Sequence, residues 1–307
     1  MPIHEQDPWR LQYFEHVCCP ANVLIPTDDA VAYQLNPAHR WVYNKLLVAE
    51  SQGIECAPHG IAPSHYPVFS KPIYNLRGMG IGSRALRSAS DYQRYCSTGH
   101  LWMSLLVGEH ISTDLAVIRG EVQWCRHAAG LPASAGTFDY WTVEARTRPA
   151  LEQYCREWIR RNLPHYTGML NLESIGGGII EAHLRFTDQW PDLYGEGWLN
   201  ALVGLYATGK WHYADQDRHV GYSVVLFGPH DRAYRHPAKV LLERLCNGAA
   251  VRSIQITFDE HRSPSSHAMP PGGFRLAIVN SRELAAALSV RKELSRNFGI
   301  DLPLEAA

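Results

Sequence analysis

No apolar run in the sequence approaches the ~18 residues of a membrane-spanning helix, so no bilayer span is expected. The N-terminal MPIHEQDPWR has no basic stretch followed by an apolar one, so no secretory leader is expected either. Seven cysteines (Cys18, Cys19, Cys56, Cys96, Cys125, Cys155 and Cys246) make an odd count at irregular spacing, without a CxxC pair. That argues against a zinc ribbon and leaves reduced thiols, many of them core residues. The sixteen histidines never form HxH or HExxH, and no GxSxG elbow or GxxxxGK[ST] loop occurs. Charge of either sign is not in excess: 29 Lys and Arg face 30 Asp and Glu, a net −1. A broad basic footprint for nucleic acid is therefore missing. The expectation is a cytoplasmic protein that engages neither membrane nor nucleic acid.

What is present is an ordinary globular composition, 46% hydrophobic over 307 residues. That length suggests about two domains or one large one. The apolar pattern predicts a short strand and acidic turn over 22–32 and a helix over 37–53, started by Pro37 and stopped by Gly53. A strand follows at 66–71, a glycine-bearing loop at 75–83, a short helix at 89–97 and a strand at 101–107. Strands at 110–118 and 121–127 join at Arg119-Gly120, a hairpin signal. A loop is expected over 131–139 and an amphipathic helix over 149–163, with Leu151, Tyr154, Cys155, Trp158 and Ile159 on its apolar face. Two strands, 169–175 and 179–185, flank Gly176-Gly177-Gly178. A helix over 193–209, strands at 221–228, 253–258 and 274–280, and a helix near 281–298 complete an α/β or α+β pattern without internal repeats.

The segment LNLESIGGGIIEAHLRF, 170–186, carries the strongest chemical signal. Glu173 and Glu181 fall on two strands of one glycine hairpin. Glu181, His183 and Arg185 alternate, so one sheet face carries all three. Hard carboxylate oxygens suit Mg²⁺, which keeps water and substrate phosphates at its other positions. Arg185 offers a fork for phosphate or carboxylate. Taken alone, the same hairpin also reads as a polar sheet face meeting water. The second signal is YPVFSKPIYNLRGMGIGS, 66–83, where Lys71 ends an apolar strand and Gly78, Gly80 and Gly82 follow. Such a loop offers backbone N–H groups to phosphates, although it is neither a Walker loop nor a dinucleotide fingerprint.

In the order Lys45, Lys71, glycine loop, LLVGE, helix and two-glutamate hairpin, the sequence resembles the ATP-grasp superfamily. Its members include biotin carboxylase, carbamoyl phosphate synthetase and D-alanine–D-alanine ligase. The likeness runs from about Asn36 to Arg185. It implies two α+β lobes clasping ATP: a short N-terminal preATP-grasp-like segment (1–60), a small lid subdomain (61–108) and a large subdomain (109–307). It further implies that Lys45, Lys71, Arg77, Gly78, Gly80, Met103, Leu105 and Glu109 bind the nucleotide, with Met103 and Leu105 at the adenine hinge and Glu109 on the ribose. Glu173, Glu181 and His183 become the metal site for Mg²⁺, and Arg185 and Lys71 the catalytic pair. His183 stands where the superfamily has asparagine, Trp102 where it has a hinge carboxylate, and the hairpin is shorter than usual.

The activity so implied is an Mg-ATP-dependent ligase that activates a small-molecule carboxylate as an acyl phosphate and joins it to an amine or thiol acceptor. A homodimer is the implied assembly. A regulatory or scaffold ATP-binder and a small-molecule kinase are the alternatives on the same fold. Arg126, His127, the Trp190–Gly195 turn, His261 and Arg262 are further candidates for contact with phosphate or substrate.

Overall fold

The structure, a computed structural model, describes residues 3–4, 12–76, 80–133, 137–216, 218–267 and 274–302, with side chains from residue 12 onward. The elements run β1 (Ile3–His4), β2 (Ile25–Pro26), α1 (Asp29–Leu35), α2 (Lys45–Glu50), β3 (Cys56–Pro58), β4 (Val68–Pro72), β5 (Arg84–Leu86), α3 (Ala89–Tyr95) and β6 (His100–Ser104). They continue as β7 (His110–Ile118), β8 (Glu121–Pro132), β9 (Phe138–Val143), α4 (Pro149–Asn162), β10 (Gly168–Ile175), β11 (Gly178–His183) and α5 (Trp198–Thr208). The last are β12 (Gly221–Gly228), α6 (Lys239–Cys246), β13 (Val251–Ile256), β14 (Phe274–Ser281) and α7 (Leu284–Phe298).

Two antiparallel sheets dominate. The smaller has strand order β3-β6-β4-β5, and the larger β11-β10-β7-β8-β9-β12-β14-β13. Strand β7 is buried from Ile111 to Val117 because both its faces are covered. Its Leu115 and Val117 pack with Leu170, Leu172, Ala182 and Leu184 against α4, which supplies Cys155, Trp158 and Ile159 at helical spacing. The other face carries the polar site and, farther along, a tryptophan-rich core of Trp124, Trp141, Trp190 and Trp198. Helix α7 closes the C-terminal strands with Ala287, Val290, Leu294 and Phe298. Behind the small sheet, α3 contributes Tyr92 to a cluster with Val68, Leu86 and Trp102.

Most expected elements are present, with several differences, among them helix α1 in place of the acidic turn expected within 22–32, and the short strands β3 and β5, which have no expected counterpart. The helix expected over 37–53 is a 3₁₀ turn at Arg40–Tyr43 followed by α2, because Asn44 breaks the run and caps a new helix by accepting from the Leu46 and Leu47 N–H groups. The loop expected over 131–139 gives way to strand at both ends, β8 reaching Pro132 and β9 starting at Phe138. The helix expected from Leu193 starts at Trp198, after a 3₁₀ turn at Pro191–Leu193. Helix α6 has no counterpart among the expected elements; only its Leu245 is buried, so its apolar signal is thin.

One contact fixes the junction between the sheets to the glutamate hairpin. Gly176 sits at φ 57°, and a Cβ there would lie 2.3 Å from the Val107 carbonyl oxygen. A Cβ on Gly108, at φ 140°, would meet the Gly176 Cα at 2.7 Å. Gly176→Ala is expected to destabilise the protein by ~1–3 kcal/mol. Gly177→Ala, which meets nothing within 4 Å despite φ 91°, should lose only the ~1–2 kcal/mol of a left-handed residue. Equilibrium urea unfolding of the two variants gives the comparison.

Candidate functional site

A cavity of about 1050 Å³ lies between the two sheets. The small sheet supplies Phe69, Lys71 and Met103. The end of β6 and the connection after it add Ser104 to Gly108, and the large sheet adds His110, Ser112, Asn171, Glu173, Glu181 and His183. Strand register explains the last group. Glu173 pairs directly with Glu181 across β10 and β11, as Asn171 does with His183. Ser112 and Asp114 on β7 stand opposite Glu173 and Asn171. Ala182 and Leu184, between the polar residues, are buried in the core on the opposite face.

The charges at this face are tightly held. Lys45, at the start of α2 and 6% exposed, places its Nζ 3.0 Å from Glu181 Oε1. Lys71, 3% exposed, donates from Nζ to the Ile180 carbonyl at 2.7 Å. Burial pushes the Lys71 ammonium down to about 8, against the pull of Glu181 and with the push of Lys45. His110 Nε2 lies 3.0 Å from Glu173 Oε2. Burial opposes the Glu173 charge, yet His110, His183 and Arg185 outweigh it and hold the carboxyl at about 2. Glu181 is also lowered: burial raises it, while Lys45, Lys71 and His183 prevail over the repulsion from Glu173. Two ionised carboxylates therefore face each other beside two buried ammonium groups.

Beneath them Asp29, at the first position of α1 and 5% exposed, receives Arg185 Nε at 2.9 Å and Nη2 at 3.1 Å. The same carboxylate lies 3.0 Å from His183 Nδ1 and accepts from the Tyr43 hydroxyl at 3.3 Å. Despite burial, Arg185 and His183 hold Asp29 far below the usual carboxylate range. Burial lowers His183, and Asp29 more than reverses it, so the imidazole is raised overall. His183 Nε2 is buried without a hydrogen-bond partner among the described residues, 3.6 Å from Glu181 Oε2.

Of the residues singled out in the sequence, Lys71, Gly80, Met103, Leu105, Glu173, Glu181, His183 and Arg185 all line this one cavity. Lys45 joins them through Glu181. Arg77 and Gly78 lie outside the described residues. Glu109 is turned away: its exposed carboxylate pairs with Arg148 at 2.9 Å and borders a separate, shallower hollow with Gly176 and Gly177. The reason is strand alternation, which sends the neighbouring His110 into the cavity instead. Trp102 likewise points from the opposite face of β6 into the small-lobe core and donates to the Ile61 carbonyl.

Arg126 and His127 do not reach the cavity. The strand continues past them; Arg126 is buried against Asp215 and the Glu144 carbonyl, and His127 against Thr113 and Glu152. Cys125, His127 and Glu152 are metal-type donors close together. Among the described residues they form a closed hydrogen-bonded group, and burial pushes the Cys125 thiol up to about 12. His261 and Arg262 are exposed and do not border the cavity. Trp190 of the aromatic turn does line it.

Three contributors were not singled out in the sequence. Asp29 lies in the acidic turn T-D-D, where Asp28 takes the helix-capping role by accepting from the Val31 N–H and leaves Asp29 facing inward. His110 is the first residue of the apolar strand β7, and its partner is 63 residues away. Arg275, on β14, pairs with Asp188 at 3.3 Å, and both line the cavity together with Gln189, Trp190 and Phe227. Only strand pairing reveals the last two.

No family profile and no curated protein matches this chain. Solved structures do. An L-amino acid ligase from Bacillus licheniformis is 10% identical with a TM-score of 0.63, covering 94% of this chain and 82% of its own. A carboxyaminoimidazole ribonucleotide synthase from Aspergillus clavatus, complexed with ATP, is 12% identical with a TM-score of 0.61, over 90% and 82%. A phosphoribosylamine–glycine ligase from Thermotoga maritima is 14% identical with a TM-score of 0.60, over 90% and 83%. At such identities the likeness is one of fold, and that fold is the α+β ATP-grasp architecture.

Proposed function

We propose that this ATP-grasp chain binds Mg-ATP between its two sheets and acts as a ligase, activating a small-molecule carboxylate as an acyl phosphate and joining it to an amine or thiol. The observation that carries the reading is the meeting of Glu173, Glu181 and Lys71 in one cavity, with Lys45 paired to Glu181 beside them. Two buried ammonium groups, each with one close acceptor among the described residues, are suited to a polyphosphate, and two ionised carboxylates beside them to a divalent cation. Glu173, Glu181 and His183 fit that cation, because the third presents a buried nitrogen without a partner among the described residues. When bound, the ion neutralises charge on the transferring phosphoryl group.

Phe69, Met103 and Leu105 form the apolar end for adenine. Lys71 and Lys45 hold the phosphates, and the glycines at 80 and 82 line the same space. The substrate carboxylate attacks the γ-phosphorus and ADP departs. The amine or thiol then attacks the acyl carbon, phosphate departs and the nucleophile's proton passes to solvent. Arg185 is fixed by Asp29 at the acyl-phosphate end. Arg275, paired with Asp188 and lining the same cavity, is the contact this reading assigns to a substrate carboxylate or its attached group. The aromatic walls keep water from the activated acid.

Release of ADP in the presence of a panel of acids with amines or thiols, with detection of the joined product, tests the reading. A stable phosphorylated acid would select a kinase; tight Mg-ATP binding without turnover would select a regulatory nucleotide-binder. Lys71 adds a pH signature. Its pKa of about 8 in the free protein rises when an anion binds, so ATP affinity should fall with pH above 8, by no more than ~10-fold per unit. Calorimetric titrations at pH 7 and 9 measure this, and Lys71→Met should bind weakly with a flatter profile.

A further inference from the structure

The polar face beside the two glutamates contains a nitrogen donor already set in place by a residue of the N-terminal segment. His183 is 4% exposed, its Nδ1 lies 3.0 Å from Asp29, and its Nε2 has no hydrogen-bond partner among the described residues. Asp29 cannot drift, because Arg185 grips both its oxygens and the Tyr43 hydroxyl donates to one of them. Tyr43 is fixed in turn, since its oxygen accepts from the Leu184 N–H at 3.1 Å. A carboxylate that receives one ring N–H sets the tautomer and turns the opposite nitrogen outward as a ligand. Here that nitrogen is directed at Glu181, 3.6 Å from its Oε2, on the face shared with Glu173. Two donors this close could face one small divalent ion.

We propose that Asp29 is a positioning residue that presents His183 Nε2 as a metal ligand, and that the resulting mixed nitrogen and oxygen set selects a divalent transition ion, of the class of Mn²⁺, over Mg²⁺. The inference rests on the nucleotide–metal reading of the cavity and refines which ion it takes. Mg²⁺ gains little from imidazole and holds oxygen ligands and water, whereas transition ions bind imidazole well. Replacing the nitrogen by an amide oxygen therefore shifts the preference back.

The test uses the full-length protein with Mn²⁺ and a non-hydrolysable ATP analogue. Pulsed EPR on the bound Mn²⁺ should show coupling to a histidine ¹⁴N, absent in His183→Asn. Competition of Mg²⁺ against Mn²⁺, followed by the EPR signal of released Mn²⁺, should show the preference for Mn²⁺ dropping by about 10-fold or more in His183→Asn. Asp29→Asn should weaken Mn²⁺ binding by ~10–100-fold. Because that change also touches Arg185, the His183→Asn comparison decides the matter if Asp29→Asn does not fold. Bound Mn²⁺ without nitrogen coupling, and an unchanged ratio in His183→Asn, would overturn the proposal while leaving nucleotide binding intact. Failure of both ions to bind with the ATP analogue would overturn the underlying reading as well.

Discussion

ATP-dependent turnover by Glu173→Gln is expected to fall by ~10²–10³-fold, the loss typical when a preorganised charge partner of a transition state is removed, while the variant remains folded. The argument is one of charge and position. Glu173 stands opposite Glu181 across the hairpin, and its only close ion-pair partner among the described residues is His110. The glutamine amide keeps an oxygen in reach of the His110 ring, so the substitution removes the carboxylate charge without emptying that contact. Glu181→Gln should show the same kinetic loss with a penalty in stability, because it leaves the buried Lys45 ammonium without its partner at 3.0 Å. Steady-state ADP release together with thermal unfolding separates the two effects. Turnover that persisted unchanged in Glu173→Gln would remove the metal role from this hairpin.

Asp29→Ala is expected to cost about 3–5 kcal/mol of folding stability, the range for breaking one side of a buried ion pair. Arg185 and His183 would both lose their shared carboxylate, and the Tyr43 hydroxyl its acceptor. The pH dependence has a definite sign. Asp29 and Glu173 have native pKa values below their unfolded ones, so their contribution is full above the ordinary carboxylate range near pH 4 and is lost as pH falls toward the lowered values. Wild-type stability should therefore drop steeply from about pH 4 downward, and Asp29→Ala should show a shallower slope from a lower start. Urea midpoints measured between pH 7 and pH 3 check both the size and the slope. A loss under ~1 kcal/mol, the value of an exposed pair, would mean that this carboxylate does not anchor the site.

Local chemistry made part of this site readable from residue order. Period-two alternation placed Glu181, His183 and Arg185 together and sent Ala182 and Leu184 to the core, where they are found. The hairpin at Arg119-Gly120 and the helix from Pro149 were legible because turn and capping residues act over a few positions. Long-range partners were not. Asp29 acts on residues more than 150 positions away, and Arg275 on one 87 away, so no window of sequence joins them. Glu109 shows the opposite error. Its place in LLVGEHIS suggested a ribose ligand, but a strand start at His110 sets the alternation so that the histidine, and not the glutamate, enters the cavity. The helix expected over 37–53 differs for a similar reason: Asn44 has a modest helix propensity yet a strong capping role, its backbone N–H closing one turn on the Trp41 carbonyl and its side chain opening the next helix.

The central claim is that Glu173, Glu181, Lys45 and Lys71 form one nucleotide–metal site. A crystal structure of the protein with a divalent cation and a non-hydrolysable ATP analogue tests it most directly. The account predicts adenine against Phe69, Met103 and Leu105, phosphates on Lys45 and Lys71, and the cation on the two glutamates. An analogue bound elsewhere, or no binding at millimolar nucleotide, would contradict it.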